Sequence, residues 1–278
     1  MKNVKPGHTQ PIICLDAGHY GKYNRSPAIP EYYESDMNWK LHLMLKSALE
    51  RYGIKVKTTR ANKEKDLSLN SRGAASEGCD LFISIHSNAA GSAVNESADY
   101  VVVLVPLDGS GDEIGKMLAD VISDVMDTKQ KGRIAKREGN NGDYYGVIRA
   151  AVAVGTTGLL VEHSFHTNTR STRWLMDDNN LKRLAEAEAA IIAEYYGMPE
   201  PGNKPDKGTL YRVQAGAYKV KSNADAQLRK MKSAGFDAII TSENGMYKIQ
   251  SGAYGIKANA ERQLSKLRAA GFDAFISK

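Results

Sequence analysis

The last quarter of the chain contains an internal repeat. The segment YRVQAGAY, which begins at Tyr211, recurs as YKIQSGAY at Tyr247, and GFDA at Gly235 recurs at Gly271, each with an offset of 36 residues. Each copy has the pattern of a strand, an amphipathic helix that stops at a glycine, and a second strand. Two copies are too few to stack as a solenoid. They predict instead a small α+β domain of the split-βαβ, ferredoxin-like type, with a four-stranded sheet and both helices on one face.

The preceding part of the chain alternates strand-like and helix-like segments. Apolar runs such as PIICLDA, LFISIH and TGLLVEHS predict strands, and MNWKLHLMLKSALERYG and NLKRLAEAEAAIIAEYYG predict amphipathic helices. This alternation is typical of a three-layer α/β domain with a largely parallel sheet. In such sheets, functional sites collect where the strands end.

A segment rich in proline and glycine, GMPEPGNKPDKGT, separates the two parts and has the composition of a linker. We therefore divide the chain into a first domain at residues 1–196, a linker at 197–208 and a second domain at 209–278. The first domain has 24 Lys and Arg against 25 Asp and Glu, whereas the second has 12 against 5. The basic second domain favours a polyanion or an anionic surface as partner, which leaves nucleic acid, membrane and cell wall open.

Composition also bears on where the protein acts. No apolar run reaches the ~20 residues of a membrane-spanning helix, so we expect no membrane insertion. The first ten residues, MKNVKPGHTQ, lack the apolar region of a secretory signal peptide. Cys14 and Cys79 lie in strand-like apolar settings and are expected to be buried, reduced thiols. These features predict a protein made in the cytoplasm without a signal peptide.

Four side chains at the ends of predicted elements could carry chemistry. His19 and His86 follow predicted strands. Glu162 lies in the last predicted strand, and Glu34 opens a predicted helix. Two imidazoles and one carboxylate form a ligand set suited to catalytic Zn²⁺, and a second carboxylate outside that set can act as general base on water. Each residue alone could equally be a hydrogen-bonded loop or strand-end residue, so only their conjunction indicates a metal site.

Four separated motifs resemble the zinc-dependent N-acetylmuramoyl-L-alanine amidases of the Amidase_3 type. They are IICLDAGHYGK, ESDMN, VKTTRANKEKDLSLNSRGAASEGCDLFISIHSNA and LLVEHSFHTN, and their order and spacing carry the resemblance over nearly all of residues 11–196. The resemblance implies that His19, Glu34 and His86 bind zinc. It also implies that Glu162 is the catalytic carboxylate that activates water.

Several positions near these motifs have an open role. Glu31 is a rival of Glu34 as ligand, but only Glu34 has an Asn four positions later, as in the family. The family usually has small residues after the catalytic carboxylate, where this chain has His163, and strand alternation predicts that His163 points away from Glu162. Two polar residues could orient the imidazoles: Asp16 and Asn88. Three more could support the fold or line the cleft: His166, Arg60 and Arg72.

The repeat resembles a SPOR domain, a peptidoglycan-binding module, through its Y-x-[VI]-Q-x-G-A-Y and GF-x-A elements. The resemblance covers residues 209–278 and implies a preference for glycan strands that have lost their stem peptides. Strand alternation places Val213 and Ile249 on the helix face and four polar side chains on the open face. These four are the predicted glycan-binding residues, although solvated sheet positions would show the same pattern: Arg212, Gln214, Lys248 and Gln250.

These observations predict a peptidoglycan hydrolase that cleaves the amide between N-acetylmuramic acid and L-alanine of the stem peptide. Stem-bearing strands would be its substrate and denuded glycan the ligand of its second domain. A phage endolysin or a mother-cell lysin of a sporulating bacterium, acting on the wall after release, is the expected setting. The alternatives are a zinc carboxypeptidase-type hydrolase, which needs an arginine in the cleft, and a catalytically inactive wall-binding protein. Nucleic-acid binding is not expected, because Tyr211 and Tyr247 are predicted on the helix face.

Overall fold

The structure is a computed structural model that describes residues 4–201, 210–255 and 257–277. The chain forms two compact units, one that ends at Met198 and one that starts at Pro199. Residues 202–209, which include most of the predicted linker and the first residue of the predicted second domain, lie outside the described residues.

The first unit alternates strands and helices. Its elements are, in chain order, β1 (Ile12–Ala17), α1 (Glu34–Arg51), β2 (Lys55–Thr58), α2 (Leu69–Ala74), β3 (Leu81–Asn88), β4 (Val102–Leu104), α3 (Asp112–Met126), β5 (Arg133–Ala135), β6 (Glu138–Gly139), β7 (Gly142–Asp143), α4 (Gly146–Ala153), β8 (Thr157–Phe165), α5 (Thr169–Met176) and α6 (Asp178–Tyr196).

A six-stranded sheet lies at the centre of the first unit, in the order β2-β1-β3-β8-β4-β5. The first four of these strands are parallel, and β4 and β5 run antiparallel to β8. The main apolar core lies between one face of the sheet and α1, α3 and α6, and a smaller core lies between the other face and α4, against which α2 packs. The predicted three-layer α/β fold with a largely parallel sheet is confirmed.

Helix α1 packs on the sheet through an apolar stripe that is visible in its sequence. Met37, Leu41, Leu45 and Leu49 follow one another every four residues and are all buried against the sheet. The chain then turns at Gly53, whose φ of +75° is in the left-handed region that glycine adopts without strain. The helix therefore starts at the sheet edge where β1 and β3 end, with Glu34 as its first residue.

The topology brings the predicted site residues to one edge of the sheet. β1 ends two residues before His19, and the neighbouring strands β3 and β8 contain His86 and Glu162, which are direct partners in the register. After this pair the register shifts, so that Asn88 pairs with Phe165 and β8 carries an extra residue, a β-bulge. The carboxyl ends of three parallel strands therefore meet at this edge, the usual location of sites in such sheets.

The second unit has two copies of a strand-helix-strand motif. Its elements are β9 (Tyr211–Tyr218), α7 (Lys221–Ser233), β10 (Ile239–Glu243), β11 (Met246–Tyr254), α8 (Lys257–Ala269) and β12 (Phe275–Ser277). The sheet is antiparallel in the order β10-β11-β9-β12, and both helices pack on β9 and β11. Val213 and Ile249 are fully buried beneath the helices. The predicted split-βαβ domain is confirmed.

Two expectations from composition can be compared with the structure. Cys14 and Cys79 are both buried, and neither forms a disulfide. Within the described ranges, none of the helices combines the length and the apolarity that crossing a membrane requires.

Candidate metal centre and active site

The structure brings the three predicted zinc ligands together. His86 Nδ1 lies 2.9 Å from Glu34 Oε1, and His19 Nε2 lies 3.3 Å from Glu34 Oε2. One possible ligand atom from each residue lies within 4.8 Å of the other two. Ligand atoms at ~2.0–2.1 Å from a tetrahedral zinc are about 3.4 Å apart, so a metal would need only a small rearrangement here. Glu31, the alternative ligand, is exposed and is not a member of this cluster.

Two buried arginines hold the turn that carries His19, whose φ of +59° lies in the left-handed region that side chains disfavour. Arg60 Nη2 donates to Ala17 O at 2.9 Å and to His19 O at 2.6 Å. Arg72 donates to the same two oxygens at 2.8 and 3.1 Å. The role that the sequence left open for both arginines is therefore structural, since their guanidinium groups fix the backbone beneath His19.

Gly18 allows the end of β1 to lie against the His86 ring. A Cβ at position 18 would lie 2.3 Å from His86 Cε1, 2.4 Å from His86 Nε2 and 2.6 Å from the carbonyl oxygen of Ile85. The backbone amide of Gly18 donates to that carbonyl at 3.1 Å, and its own carbonyl accepts from Asn38 Nδ2 at 3.1 Å. The glycine of the DAGH motif is therefore needed for the contact between the two histidines.

Glu34 is buried among hydrogen-bond donors. Asn24 Nδ2 donates to its Oε2 at 2.6 Å, and the backbone amide of Ser87 donates to its Oε1 at 3.1 Å. Burial acts to raise the pKa of Glu34, but the hydrogen bonds from His19 and His86 outweigh it and hold the pKa well below its usual range. Glu34 is therefore ionised at neutral pH, which is the state that binds a cation.

The two expected partners of the imidazoles are arranged differently from the prediction. His86 Nε2 lies 3.1 Å from Ser84 Oγ, and that hydroxyl donates to the buried Asp16 at 2.7 Å. Asp16 therefore acts on His86 through Ser84 and has no direct contact with His19 in the hydrogen bonds of the described residues. Asn88 accepts from the backbone amide that follows it, at 2.8 Å, and does not orient His86.

His163 supports His86 from the opposite face of the sheet. Its Nδ1 donates to His86 O at 2.9 Å, and its Nε2 lies 3.2 Å from Glu188 Oε1 on α6. Both side chains are fully buried. This contact lies where the β-bulge interrupts the regular ladder, so the His163 side chain supplies a partner to the carbonyl of His86.

Glu162 lies beside His86 and has a different environment from Glu34. Its Oε2 is buried and has no hydrogen-bond partner in the described part of the chain. Burial, and to a smaller extent the charge of Glu34, raise the pKa of Glu162 well above its usual range. A carboxylate with a raised pKa and no fixed partner is suited to accepting a proton and giving it up again.

His166 lies behind Glu34. Its Nδ1 donates to Ser87 O at 2.9 Å and lies 4.0 Å from Glu34 Oε2. Its ring stacks on Tyr32 with 6.0 Å between centroids, and the Tyr32 hydroxyl lies 2.7 Å from Ser87 Oγ. Burial lowers the pKa of His166, so this side chain forms a neutral wall of the site.

Sequence reasoning missed several of these supporting residues. Asn24 comes from the loop before α1, and Tyr32 and Glu188 come from positions with ordinary burial patterns. None of these three residues carries a sequence signal that distinguishes it, and the φ of +52° that suits Asn24 to its turn is visible only in the structure.

Comparisons with known proteins identify the families of the two units. A family described as N-acetylmuramoyl-L-alanine amidase matches residues 13–194, from β1 to α6. The chain belongs to this family. Its function is that of an N-acetylmuramoyl-L-alanine amidase, as the sequence motifs predict. A second family, the SPOR domain, matches residues 207–278.

Curated relatives of the amidase match across both units. The chain is 28% identical over 231 residues to the N-acetylmuramoyl-L-alanine amidase CwlM of Bacillus licheniformis. The aligned region covers 82% of this chain and 83% of the relative. The chain is 30% identical over 232 residues to the sporulation-specific N-acetylmuramoyl-L-alanine amidase of Bacillus subtilis, with the same coverage.

Solved amidase structures share the fold of the first unit. The amidase from Clostridium difficile 630 superposes with a TM-score of 0.58 at 20% identity, covering 68% of this chain and 98% of that one. AmiC2 of Nostoc punctiforme superposes with a TM-score of 0.58 at 22% identity, covering 69% and 99%.

The SPOR unit of the amidase presents a symmetric row of side chains on its open face. Gln214 and Gln250 are direct partners on the central strands, with Ile239 beyond Gln250 and Phe275 beyond Gln214. Both pairs are related by the 36-residue repeat. The row therefore has two amides at its centre, of which Gln214 is buried and Gln250 is half-buried, and an exposed apolar side chain at each end.

The two basic predicted residues lie in the neighbouring rows of the same face. Arg212 is opposite Ser277, and Lys248 is opposite Thr241, so these rows are also related by the repeat. Lys248 Nζ forms an ion pair with Glu243 at 2.5 Å. The structure thus brings all four predicted glycan-binding residues together on one face.

Proposed function

We propose that the amidase is zinc-dependent, that His19, Glu34 and His86 hold the metal, and that Glu162 transfers the proton. The observation that carries the proposal is the contrast between two carboxylates: Glu34 is bonded by both imidazoles, and Glu162 has a buried, unpartnered oxygen. Two imidazoles and one ionised carboxylate are donors that fit zinc and leave a fourth position for water or substrate.

The residues of this site divide the work of amide hydrolysis. When bound, zinc supplies a Lewis acid for the scissile carbonyl and lowers the pKa of water toward ~7. Glu162 takes the proton from the attacking water and returns it to the nitrogen of L-alanine as the amide bond breaks. The turn held by Arg60 and Arg72, and the contact from His163, keep the two histidine ligands in place before the substrate binds.

The zinc carboxypeptidase alternative requires a free arginine beside the scissile bond. Arg60 and Arg72 are near His19, but both are buried and donate to backbone carbonyl groups. Arg72 also pairs with Asp16 at 3.0 Å. Because both guanidinium groups are already bonded within the protein, neither is free to bind a substrate carboxylate, which supports the amidase over a carboxypeptidase.

We further propose that the SPOR unit binds glycan strands from which stem peptides have been removed. The row centred on Gln214 and Gln250 offers amide groups for sugar hydroxyls, and Arg212 and Lys248 add positive charge beside it. The excess of 12 Lys and Arg over 5 Asp and Glu adds a salt-sensitive attraction to anionic wall polymers.

Where the amidase acts stays a prediction. The similarity to a sporulation-specific relative supports a lysin of sporulating cells over a phage endolysin. We propose that it acts on the wall after release from the cytoplasm. Fractionation of sporulating cells tests this, since enzyme found with the wall only after lysis of the cell is the expected result.

The zinc assignment is tested by elemental analysis and product identification together. Purified enzyme should contain one zinc per chain and release stem peptides that begin with L-alanine from purified wall. His19→Ala should lose the metal, whereas His8→Ala should keep it, because His8 pairs with Asp80 at 2.8 Å away from the cluster. Undiminished zinc in His19→Ala would remove that residue from the ligand set, and release of terminal D-alanine would favour the carboxypeptidase.

A further inference from the structure

One arginine lies on the same row of the sheet as the proposed catalytic residue. Glu162 pairs with Val102 of β4, and Val102 pairs with Arg133 of the edge strand β5. Directly paired residues point to the same face of a sheet, so Glu162 and Arg133 share a face with His86, the partner of Glu162 on its other side. At ~4.8 Å between strands, the Cα atoms of Glu162 and Arg133 are about 10 Å apart.

The Arg133 guanidinium is held by an aromatic ring and has no acidic partner in the part of the chain that the structure describes. Its Cζ lies 4.2 Å from the centroid of the Tyr100 ring, which packs edge-on against the buried Phe165 at 4.7 Å. Lys136, just beyond the same strand, pairs with Asp112, but Arg133 is exposed and pairs with no carboxylate of the described residues. Stacking fixes the plane of the guanidinium and leaves its N–H edges available for a bidentate carboxylate.

The proposed mechanism indicates which part of the substrate passes over this arginine. Glu162 must approach the nitrogen of L-alanine, so the stem peptide leaves the site on the Glu162 side, away from the ligand cluster formed by the turn after β1, the start of α1 and the end of β3. The next strands on that side are β4 and β5. Two residues of chain span at most ~7 Å, so the second stem residue comes within reach of the Arg133 side chain.

The second residue of a peptidoglycan stem is linked through its side chain, which leaves its α-carboxyl group either free or amidated. We propose that Arg133, positioned by Tyr100, binds this free carboxylate and makes the amidase prefer acidic stems over amidated ones. The inference rests on the proposed function and adds a specificity determinant to the same site. At about 10 Å from Glu162, Arg133 is too distant to hold a carboxylate at the scissile bond itself, which is where a carboxypeptidase needs it.

The test uses two soluble muropeptides that differ only in whether the second stem residue ends in a carboxylate or a carboxamide. The wild-type enzyme should cleave the carboxylate form with a kcat/KM about 10- to 100-fold higher, mainly through KM, since the contact is made in the bound substrate. Arg133→Ala should abolish this preference while leaving kcat/KM for the carboxamide form and the zinc content unchanged. Arg133→Lys should restore part of it.

Arg137→Ala is the matched control. Arg137 also lies over a tyrosine, with its Cζ 3.5 Å from the Tyr144 ring centroid, but it is four residues further along the chain, toward the amino end of β8. This variant should keep the wild-type preference. Equal cleavage of both muropeptides by the wild type, or an equal loss on both in Arg133→Ala, would overturn the inference alone. Cleavage of neither by the zinc-loaded wild type would overturn the proposed function and this inference with it.

Discussion

The two sheets of the amidase carry their polar side chains at different places. In the first unit the polar groups lie at strand ends, come from elements far apart in the chain, and include carboxylates enclosed by protein. In the SPOR unit they lie in the middle of strands on an open face and are related by the repeat. Burial acts to raise the pKa of both Glu34 and Glu162, but the hydrogen bonds from His19 and His86 lower the pKa of Glu34, so the two carboxyl groups end with opposite shifts and can take different roles. An open sheet face offers contacts for a long ligand without such shifts.

The largest expected effect is a loss of activity when the proposed catalytic carboxylate of the first unit is replaced. Glu162→Gln should lower kcat by about 10²–10⁴-fold, because an amide cannot accept the proton from water. Zinc content and wall binding should be unchanged, since neither the ligand cluster nor the SPOR unit contains this residue. Glu31→Gln, which alters an exposed carboxylate outside the ligand cluster, is the control and should retain full activity. Near-normal turnover by zinc-loaded Glu162→Gln would remove Glu162 from its role.

The second effect tests how closely the strand ends are packed. Gly18→Ala should weaken zinc binding by about 10- to 100-fold, the range found when groups that orient metal ligands are disturbed, because the new methyl group must displace the His86 ring. Competition with a chromogenic chelator measures the affinity. Gly139→Ala on β6 serves as control, because a Cβ there meets only Tyr144 and Gly142, which are not members of the metal cluster. An unchanged affinity in Gly18→Ala would mean that the contact between β1 and β3 does not fix the ligand.

The third effect concerns the open face. Gln214→Ala with Gln250→Ala should weaken binding of the full chain to amidase-treated wall about tenfold at high salt, at a factor of roughly 2–10 for each neutral hydrogen bond lost. At low salt the loss should be smaller, because the basic charge still contributes. Gln227→Ala on α7 is a matched control away from this face. Equal binding to treated and untreated wall at high salt would contradict recognition of the denuded glycan.

The same contrast explains what the sequence could predict. The repeat and the alternation of apolar segments fix strands and helices locally, so both folds followed from the pattern. His19, His86 and Glu162 were accessible as polar residues at strand ends, but the separate roles of Glu34 and Glu162 came only from the family resemblance. The sequence left the roles of Arg60 and His163 open and did not identify Asn24 or Glu188, since these contacts depend on how loops and α6 dock.

The smallest expected effect is a change in Tm, and it is compared between one carboxylate of each unit. Because burial raises the pKa of Glu162, its folded form favours the protonated state, so its contribution to stability is fully present below about pH 4.5, the ordinary pKa, and is lost as the pH rises through the shifted value. In metal-free enzyme at pH 7, Glu162→Gln should therefore raise the Tm of the first unit by about 2–4 °C for each kcal/mol of relief, and this gain should shrink toward pH 4.5. Glu243→Gln on the SPOR sheet alters a fully exposed carboxylate, and its Tm should change by less than about 1 °C at either pH. Thermal unfolding of both variants with chelator at the two pH values makes the measurement. If Glu162→Gln raised the Tm equally at both pH values, the gain would come from the packing of the amide and not from removing a buried charge.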